Sequence, residues 1–189
     1  MGDEPLEYVI IGFVGLMLGY GIWIFNRLVS DRNLVAQAFA DIDVQLKRRA
    51  DLVPQLVETV KAYTAYERQT LQAVVELRTR AIALGESERR PSASRFGTES
   101  ELGASLQKLI LLQENYPQLK ADQNFRDLSA KLVEVEDQLQ HARRFYNGAV
   151  KQYVTRMQTF PDIIVARLLA FRSAAFFETD DRAAVQVSL

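Results

Sequence analysis

From Tyr8 to Phe25 the chain carries no charged side chain: Tyr-Val-Ile-Ile-Gly-Phe-Val-Gly-Leu-Met-Leu-Gly-Tyr-Gly-Ile-Trp-Ile-Phe. At ~1.5 Å rise per residue, about 18 helical residues nearly cross a hydrocarbon core of roughly 30 Å. Tyr8, Tyr20 and Trp23 put amphipathic rings near the ends, where interfacial belts lie. A cleavable signal peptide is the rival reading, and the flanks oppose it. The leader Met1–Glu7 holds acids and no Lys or Arg, and no small-x-small site follows the run. Leu6 stands where a myristoylation signal needs Ser or Thr. An uncleaved single-pass anchor is expected, with residues 1–7 as a short extracytoplasmic tail and 8–25 as the transmembrane helix.

Charge asymmetry orients it. Asp3, Glu4 and Glu7 precede the run, and Arg27 and Arg32 follow it, with Lys47, Arg48 and Arg49 further on. The excess of basic residues after the span places the N-terminus outside and the bulk of the chain in the cytoplasm. Within the span, Gly12, Gly15 and Gly19 share one helical face. Such a stripe lets two backbones approach closely and would pack membrane helices together; the alternative is that glycine is simply common in membrane helices.

Beyond the anchor the pattern becomes that of a bundle. Apolar residues recur at steps of three and four through Val35, Phe39, Ile42, Leu46, Val53, Leu56, Val60, Tyr63, Leu71, Val74, Leu77 and Ala81. Pro54 removes a backbone donor in mid-pattern. Because Leu46, Val53 and Val60 keep a seven-residue step through it, one kinked helix to Leu84 is expected, closed by Gly85. A dense polar run, Asp41, Asp43, Gln45, Lys47, Arg48, Arg49 and Asp51, interrupts this seam. It reads either as the solvated outer face of a bundle helix or as a contact surface, for which Asp43, Lys47, Arg48, Arg49 and Asp51 are the candidates.

Residues Gly85 to Gly97 are polar and Ser-rich and contain Pro91, so an exposed loop is expected there, with Arg89, Arg90 and Arg95 at its tip. Thr98 followed by Glu101 has the spacing of a capping box, opening a helix with Leu102, Leu106, Leu109 and Ile110 inward. Asn115-Tyr116-Pro117 ends it. A long helix then starts near Asn124 with a regular seam through Phe125, Leu128, Leu132, Val135, Leu139, Ala142, Tyr146, Ala149, Tyr153 and Phe160, and Phe160-Pro161 stops it. Asp162 caps a last helix reaching about Phe177. Arg167 and Arg172 exclude a second span. This segment either docks on the bundle or lies in the membrane surface, in which case Arg167, Phe171, Arg172, Phe176 and Phe177 are the candidate lipid-facing residues.

Catalytic and metal chemistry find little footing. Cysteine is absent and His141 is the sole histidine, so neither a thiolate site nor an imidazole cluster forms within one chain. A di-metal carboxylate bundle needs two Glu-x-x-His pairs, and Gln138 stands three residues before His141. No phosphate loop, nucleophile elbow or His-Glu-x-x-His occurs. Asp41 and Asp43, two apart on a helix, do not face each other. With 23 basic and 24 acidic residues the chain lacks the basic excess of a nucleic-acid binder. The expectation is no enzyme, no cofactor, no metal and no nucleic-acid partner.

The block Ile42-Asp-Val-Gln-Leu-Lys-Arg-Arg49, together with Asn26-Arg-Leu-Val, Arg32-Asn33, Glu114-Asn-Tyr-Pro-Gln-Leu-Lys-Ala-Asp122, Phe125, Tyr146-Asn147 and Phe160-Pro161, resembles the LemA family over nearly everything after Phe25. Phe39, Gln55 and Tyr66 depart from the family's usual Trp, Asn and His, and the C-terminal end lacks its usual Pro. The resemblance implies an all-α protein: one N-terminal transmembrane helix, then an antiparallel, LemA-like four-helix up-and-down bundle over 26–177 and a tail over 178–189. It places the protein in a bacterial inner membrane. Kinship with MamQ, a magnetosome-membrane formation factor, implies membrane organisation. Two main roles remain open. One is a scaffold that self-assembles as a homo-oligomer on the lipid bilayer; the other is a regulatory adaptor for another membrane protein, such as a protease or envelope-stress component. Peripheral lipid recognition by the last helix is a third.

Overall fold

A computed structural model describes residues 4–64, 66–88 and 91–177. Residues 1–3 of the expected 1–7 tail, the expected tail 178–189 and the loop residues Arg89 and Arg90 lie outside the described residues, while α1 already includes residues 4–7. No strand occurs among those described. The helices are α1 (Glu4–Tyr63), α2 (Arg68–Ser87), α3 (Ala93–Leu111), α4 (Pro117–Ala121), α5 (Gln123–Gln158) and α6 (Asp162–Leu168), with a 3-10 turn at Leu112–Glu114. The chain forms two compact units, one from 1–37 and 148–174, the other from 38–147 and 175–189.

The larger unit is the bundle. Tyr63 on α1 donates to Asp122 at the start of α5, and Arg49 on α1 reaches Glu136 on α5, so these helices run antiparallel. Arg78 Nε donates to the Ala50 carbonyl at 2.7 Å, laying α2 antiparallel on α1. Its core joins Val53, Leu56, Val57 and Val60 to Leu71, Val74, Leu102, Leu106, Leu109, Leu119, Phe125, Leu128 and Leu132. Most positions of the seams inferred from spacing are buried; Tyr63 at the end of α1 and Phe160 just past α5 are exposed instead.

Several boundaries differ from expectation. The helix from the anchor ends at Tyr63, where a kinked helix to Leu84 was expected, and the chain turns back before Arg68. Pro54 does not end α1, since its missing N–H costs one bond in a helix held by tertiary packing. Gly85 lies inside α2, and α2 and α3 are joined by a shorter connection than the expected loop. Ser92, not Thr98, caps α3, its hydroxyl accepting from the Arg95 N–H at 3.2 Å. Thr98 is buried one turn further on.

The smaller unit contains the candidate membrane span at the start of α1, which is long and apolar enough to cross a bilayer. Ile24 near its end and Leu28 and Val35 beyond it are buried, as are Val150 and Tyr153 of α5 and Ala166 of α6. Asp31 fixes the register: it accepts from Gln152 at 2.9 Å and pairs with Arg156 at 2.7 Å. The expected last helix is short. Ala170 takes a left-handed φ of 52°, and the Phe171 and Ala170 N–H groups bond the Ala166 and Arg167 carbonyls at 2.9 and 3.2 Å. That pattern is a Schellman stop with Ala in the place glycine usually fills. Residues 171–177 follow without helix.

Candidate functional site

The bundle unit buries a group of charges at its centre. Arg49 has no exposed surface. Its Nη1 donates to Glu136 Oε1 at 2.8 Å, and its Nη2 donates to the Glu99 carbonyl at 2.9 Å and pairs with the Glu99 carboxylate. Three helices supply these groups, so one guanidinium ties α1 to both α3 and α5. Gly103 makes room for it: a Cβ there would stand 3.1 Å from Arg49 Nη1. A cavity of about 360 Å³ opens beside the cluster, lined by Arg49, Glu99, Gly103, Gln107, Glu136 and Arg143.

Arg143 is also buried, its guanidinium centred 4.3 Å over the Phe177 ring. Among the described residues its Nε and Nη2 have no hydrogen-bond partner. Burial pushes its pKa down and nearby Arg49 adds to that, while Glu136 and Glu99 oppose it. A ring face under a desolvated cation supplies part of the lost hydration.

A second group surrounds Phe39. Arg95, expected at an exposed loop tip, is buried: it pairs with Asp43 at 2.5 Å and lies over the Phe39 ring at 5.1 Å. Burial raises the Asp43 pKa, and the Arg95 charge and hydrogen bond only partly offset it. Phe39 packs on Phe96 and Tyr146, and Phe96 stacks on Phe177 with centroids 3.9 Å apart. The segment carrying Phe177 is strapped down by side chains acting as a strand would. Asn147 donates to the Phe177 carbonyl at 2.9 Å and accepts its N–H at 2.8 Å, and Tyr146 donates to the Ala175 carbonyl at 2.7 Å. Burial pushes the Tyr146 phenol up to about 12.

The candidate contact block therefore divides. Lys47, Arg48 and Asp51 are exposed, with Arg48 reaching Gln138 only at 3.5 Å, and Asp43 is half-buried against Arg95. Arg49 is withdrawn from the surface, its two terminal nitrogens engaged by Glu99 and Glu136. The spacing carried the signal: Arg49 falls three residues after Leu46 and four before Val53, on the seam itself. Glu99 and Arg143 escaped notice too, although Glu99 lies between Phe96 and Leu102 and Arg143 between Leu139 and Tyr146.

The candidate lipid-facing set divides as well. Phe177 is buried in the bundle unit, so it faces no lipid. Phe171 packs edge-on against Phe25, and Arg167, Arg172 and Phe176 are exposed. Phe160, expected on the inward seam of α5, and Ile164, Leu168 and Leu169, expected within the last helix but outside the lipid-facing set, are also large, apolar and exposed. Gly12, Gly15 and Gly19 have open space where side chains would stand. Chemically, the buried carboxylates of Asp31 and Glu99 are occupied as ion-pair partners. Among the described residues no group of three or more His, Asp or Glu is placed to hold a metal.

The model of the LemA family matches residues 38–189. Protein LemA of Metamycoplasma hominis is 23% identical over 188 residues, 98% of this chain and 84% of the relative. Magnetosome protein MamQ 2 of Paramagnetospirillum magneticum is 22% identical over 175 residues, 82% of this chain and 64% of its own length. Magnetosome protein MamQ of Magnetospirillum gryphiswaldense is 19% identical over 174 residues, again 64% of its length. The matched region thus spans just under two thirds of the MamQ proteins.

Proposed function

Because the chain belongs to the LemA family and begins with a candidate membrane span, we propose that it is a membrane-anchored, non-enzymatic scaffold that self-assembles at the cytoplasmic face of a bacterial inner membrane. The observation that carries this is the first part of α1. Its apolar side chains from Tyr8 to Trp23 are almost all uncovered, and Gly12, Gly15 and Gly19 leave one face open to a second helix. The magnetosome relatives favour a place in membrane organisation. The internal use of Arg49, Glu99 and Glu136 supports a structural role for the charges that looked most like a site.

The test is energy transfer between donor- and acceptor-labelled full-length chains in liposomes. The chain has no cysteine, so Arg48→Cys supplies a single labelling point. Efficient transfer that is diluted by unlabelled protein, and falls in Gly15→Leu and Gly19→Leu, is expected. Transfer no higher than for unrelated single-span proteins at equal density would overturn the reading.

A second reading, the adaptor, is favoured by exposed Lys47, Arg48 and Asp51 lying side by side on α1. Lys47→Glu and Arg48→Glu should then abolish capture of one membrane partner while leaving self-assembly intact. Retention of every partner by both variants removes it.

A further inference from the structure

The turn after α5 and the outward face of α6 invert the usual order of inside and outside. On α6 the small Ala166 is 3% exposed, while Ile164 is 56% and Leu168 81% exposed; Phe160 before it is 77% and Leu169 after it 50%. Ile164 and Leu168, four apart on α6, share one face of that helix, and Phe160 stands exposed in the turn before it. A helix that buries alanine and turns its large apolar residues outward is suited to a surrounding that is not water.

Position within the smaller unit says what that surrounding is. Phe25, the last residue of the uncharged run, meets Phe171 edge-on with centroids 6.0 Å apart. Arg32 lies over the same Phe171 ring at 5.7 Å. Tyr153 donates to the Arg172 carbonyl at 3.2 Å, and Asp31 holds Gln152 and Arg156, so this end of α5 and the segment after α6 are fixed beside the exit of the span. The exposed apolar residues of α6 thus belong to a segment whose far end, Phe171, is held against the last residue of the candidate span. Basic residues accompany it: Arg167 and Arg172 are exposed, and Arg27 sits over Trp23 at 4.6 Å. Amphipathic segments with that composition lie at the headgroup level of anionic membranes.

We propose that Phe160, Ile164, Leu168 and Leu169 form a second membrane contact, a monotopic wedge seated in the same leaflet through which the span leaves the bilayer, with Arg167 and Arg172 directed at anionic lipid headgroups. This rests on the reading of Tyr8–Phe25 as a span and adds a second point of attachment to it. Two attachments on one chain resist tilting and give the protein a preference for negatively charged lipid that a bare anchor lacks.

The experiment uses spin labels on the cysteine-free full chain, reconstituted in phosphatidylcholine vesicles with and without phosphatidylglycerol. Single labels go at Leu168→Cys, at Leu16→Cys within the span, and at Lys47→Cys on the exposed bundle surface. Collision with oxygen reports lipid, and collision with a water-soluble nickel complex reports water. The Leu168 label should show severalfold higher oxygen and severalfold lower nickel collision than the Lys47 label, at a depth shallower than Leu16. Arg167→Glu with Arg172→Glu should move it toward water only in vesicles containing phosphatidylglycerol. A Leu168 label as wet as Lys47 beside a Leu16 label in lipid overturns the wedge and leaves the span standing. Low collision with both reagents means cover by protein and also overturns it. A wet Leu16 label overturns the span reading and the wedge with it.

Discussion

Arg49 on α1 donates to Glu136 on α5 at 2.8 Å, while its other terminal nitrogen holds Glu99 on α3. Breaking a buried pair by removing one partner strands the others, at a cost of about 3–5 kcal/mol. Glu136 keeps contact with water, which puts the expected loss at the lower end. Arg49→Ala should destabilise the bundle by about 3 kcal/mol, read from denaturant unfolding of the full chain in mild detergent. Exposed Arg48→Ala should change it by less than about 0.5 kcal/mol. Equal effects of the two would mean that the cluster does not hold the bundle.

Two glycines on neighbouring helices should respond to the same change with opposite signs. Gly148 in α5 has nothing within 4 Å of an added Cβ, so Gly148→Ala should stabilise by up to about 1 kcal/mol through helix propensity alone. Gly103→Ala gains the same propensity but drives a Cβ to 3.1 Å from Arg49 Nη1, whose position Glu99 and Glu136 fix. It should be neutral or destabilising. A comparable gain at both sites would show that Arg49 can shift freely.

Asp122 links capping to acid stability. Its Oδ1 accepts the Phe125 N–H at 2.8 Å at the start of α5, and its Oδ2 accepts from Tyr63 at 2.9 Å. The Phe125 N–H is the main reason its pKa lies below the usual 3.8, with the Tyr63 bond adding to it. A lowered carboxylate stabilises the fold above its unfolded pKa and loses that contribution as pH falls through the folded one. Asp122→Asn keeps the capping acceptor and should flatten the fall in melting temperature below pH 4. Asp122→Ala should lower the melting temperature at neutral pH as well. An unchanged acid limb in Asp122→Asn would separate the cap from the pH dependence.

Ala170 pays for the end of α6 in backbone strain, since its φ of 52° places Cβ against the following carbonyl. Ala170→Gly should stabilise the smaller unit by about 1 kcal/mol, seen as slower amide exchange at Ala170 and Phe171. Faster exchange there would contradict the Schellman assignment.

The buried seams were legible because period and burial are the same fact in a helix. Ile42, Leu46, Leu56, Leu102, Leu106, Leu132 and Leu139 were placed inward from spacing and are buried. The reversal after Tyr63 was not, because it contains neither Gly nor Pro and the seven-residue step survives an antiparallel return. The end of α6 was hidden for a related reason: Ala170 carries none of the signature glycine would have given. Arg49, Glu99 and Arg143 occupy seam positions, but their charge makes them look solvent-facing. Only partners distant in sequence, Glu136 and Phe177 among them, make their burial tolerable. The outward face of α6 was obscured by the expectation that the helix would run on to Phe177, which counted buried Phe177 among the outward residues and left Ile164 and Leu168 out of the lipid-facing set.

The most direct measurement of the scaffold reading is the size and symmetry of the full-length particle in a lipid nanodisc, obtained by single-particle imaging. The account predicts a closed homo-oligomer of defined order whose spans meet along Gly12, Gly15 and Gly19, and which falls to smaller species in Gly15→Leu. A single chain per disc across a range of protein-to-lipid ratios would contradict it.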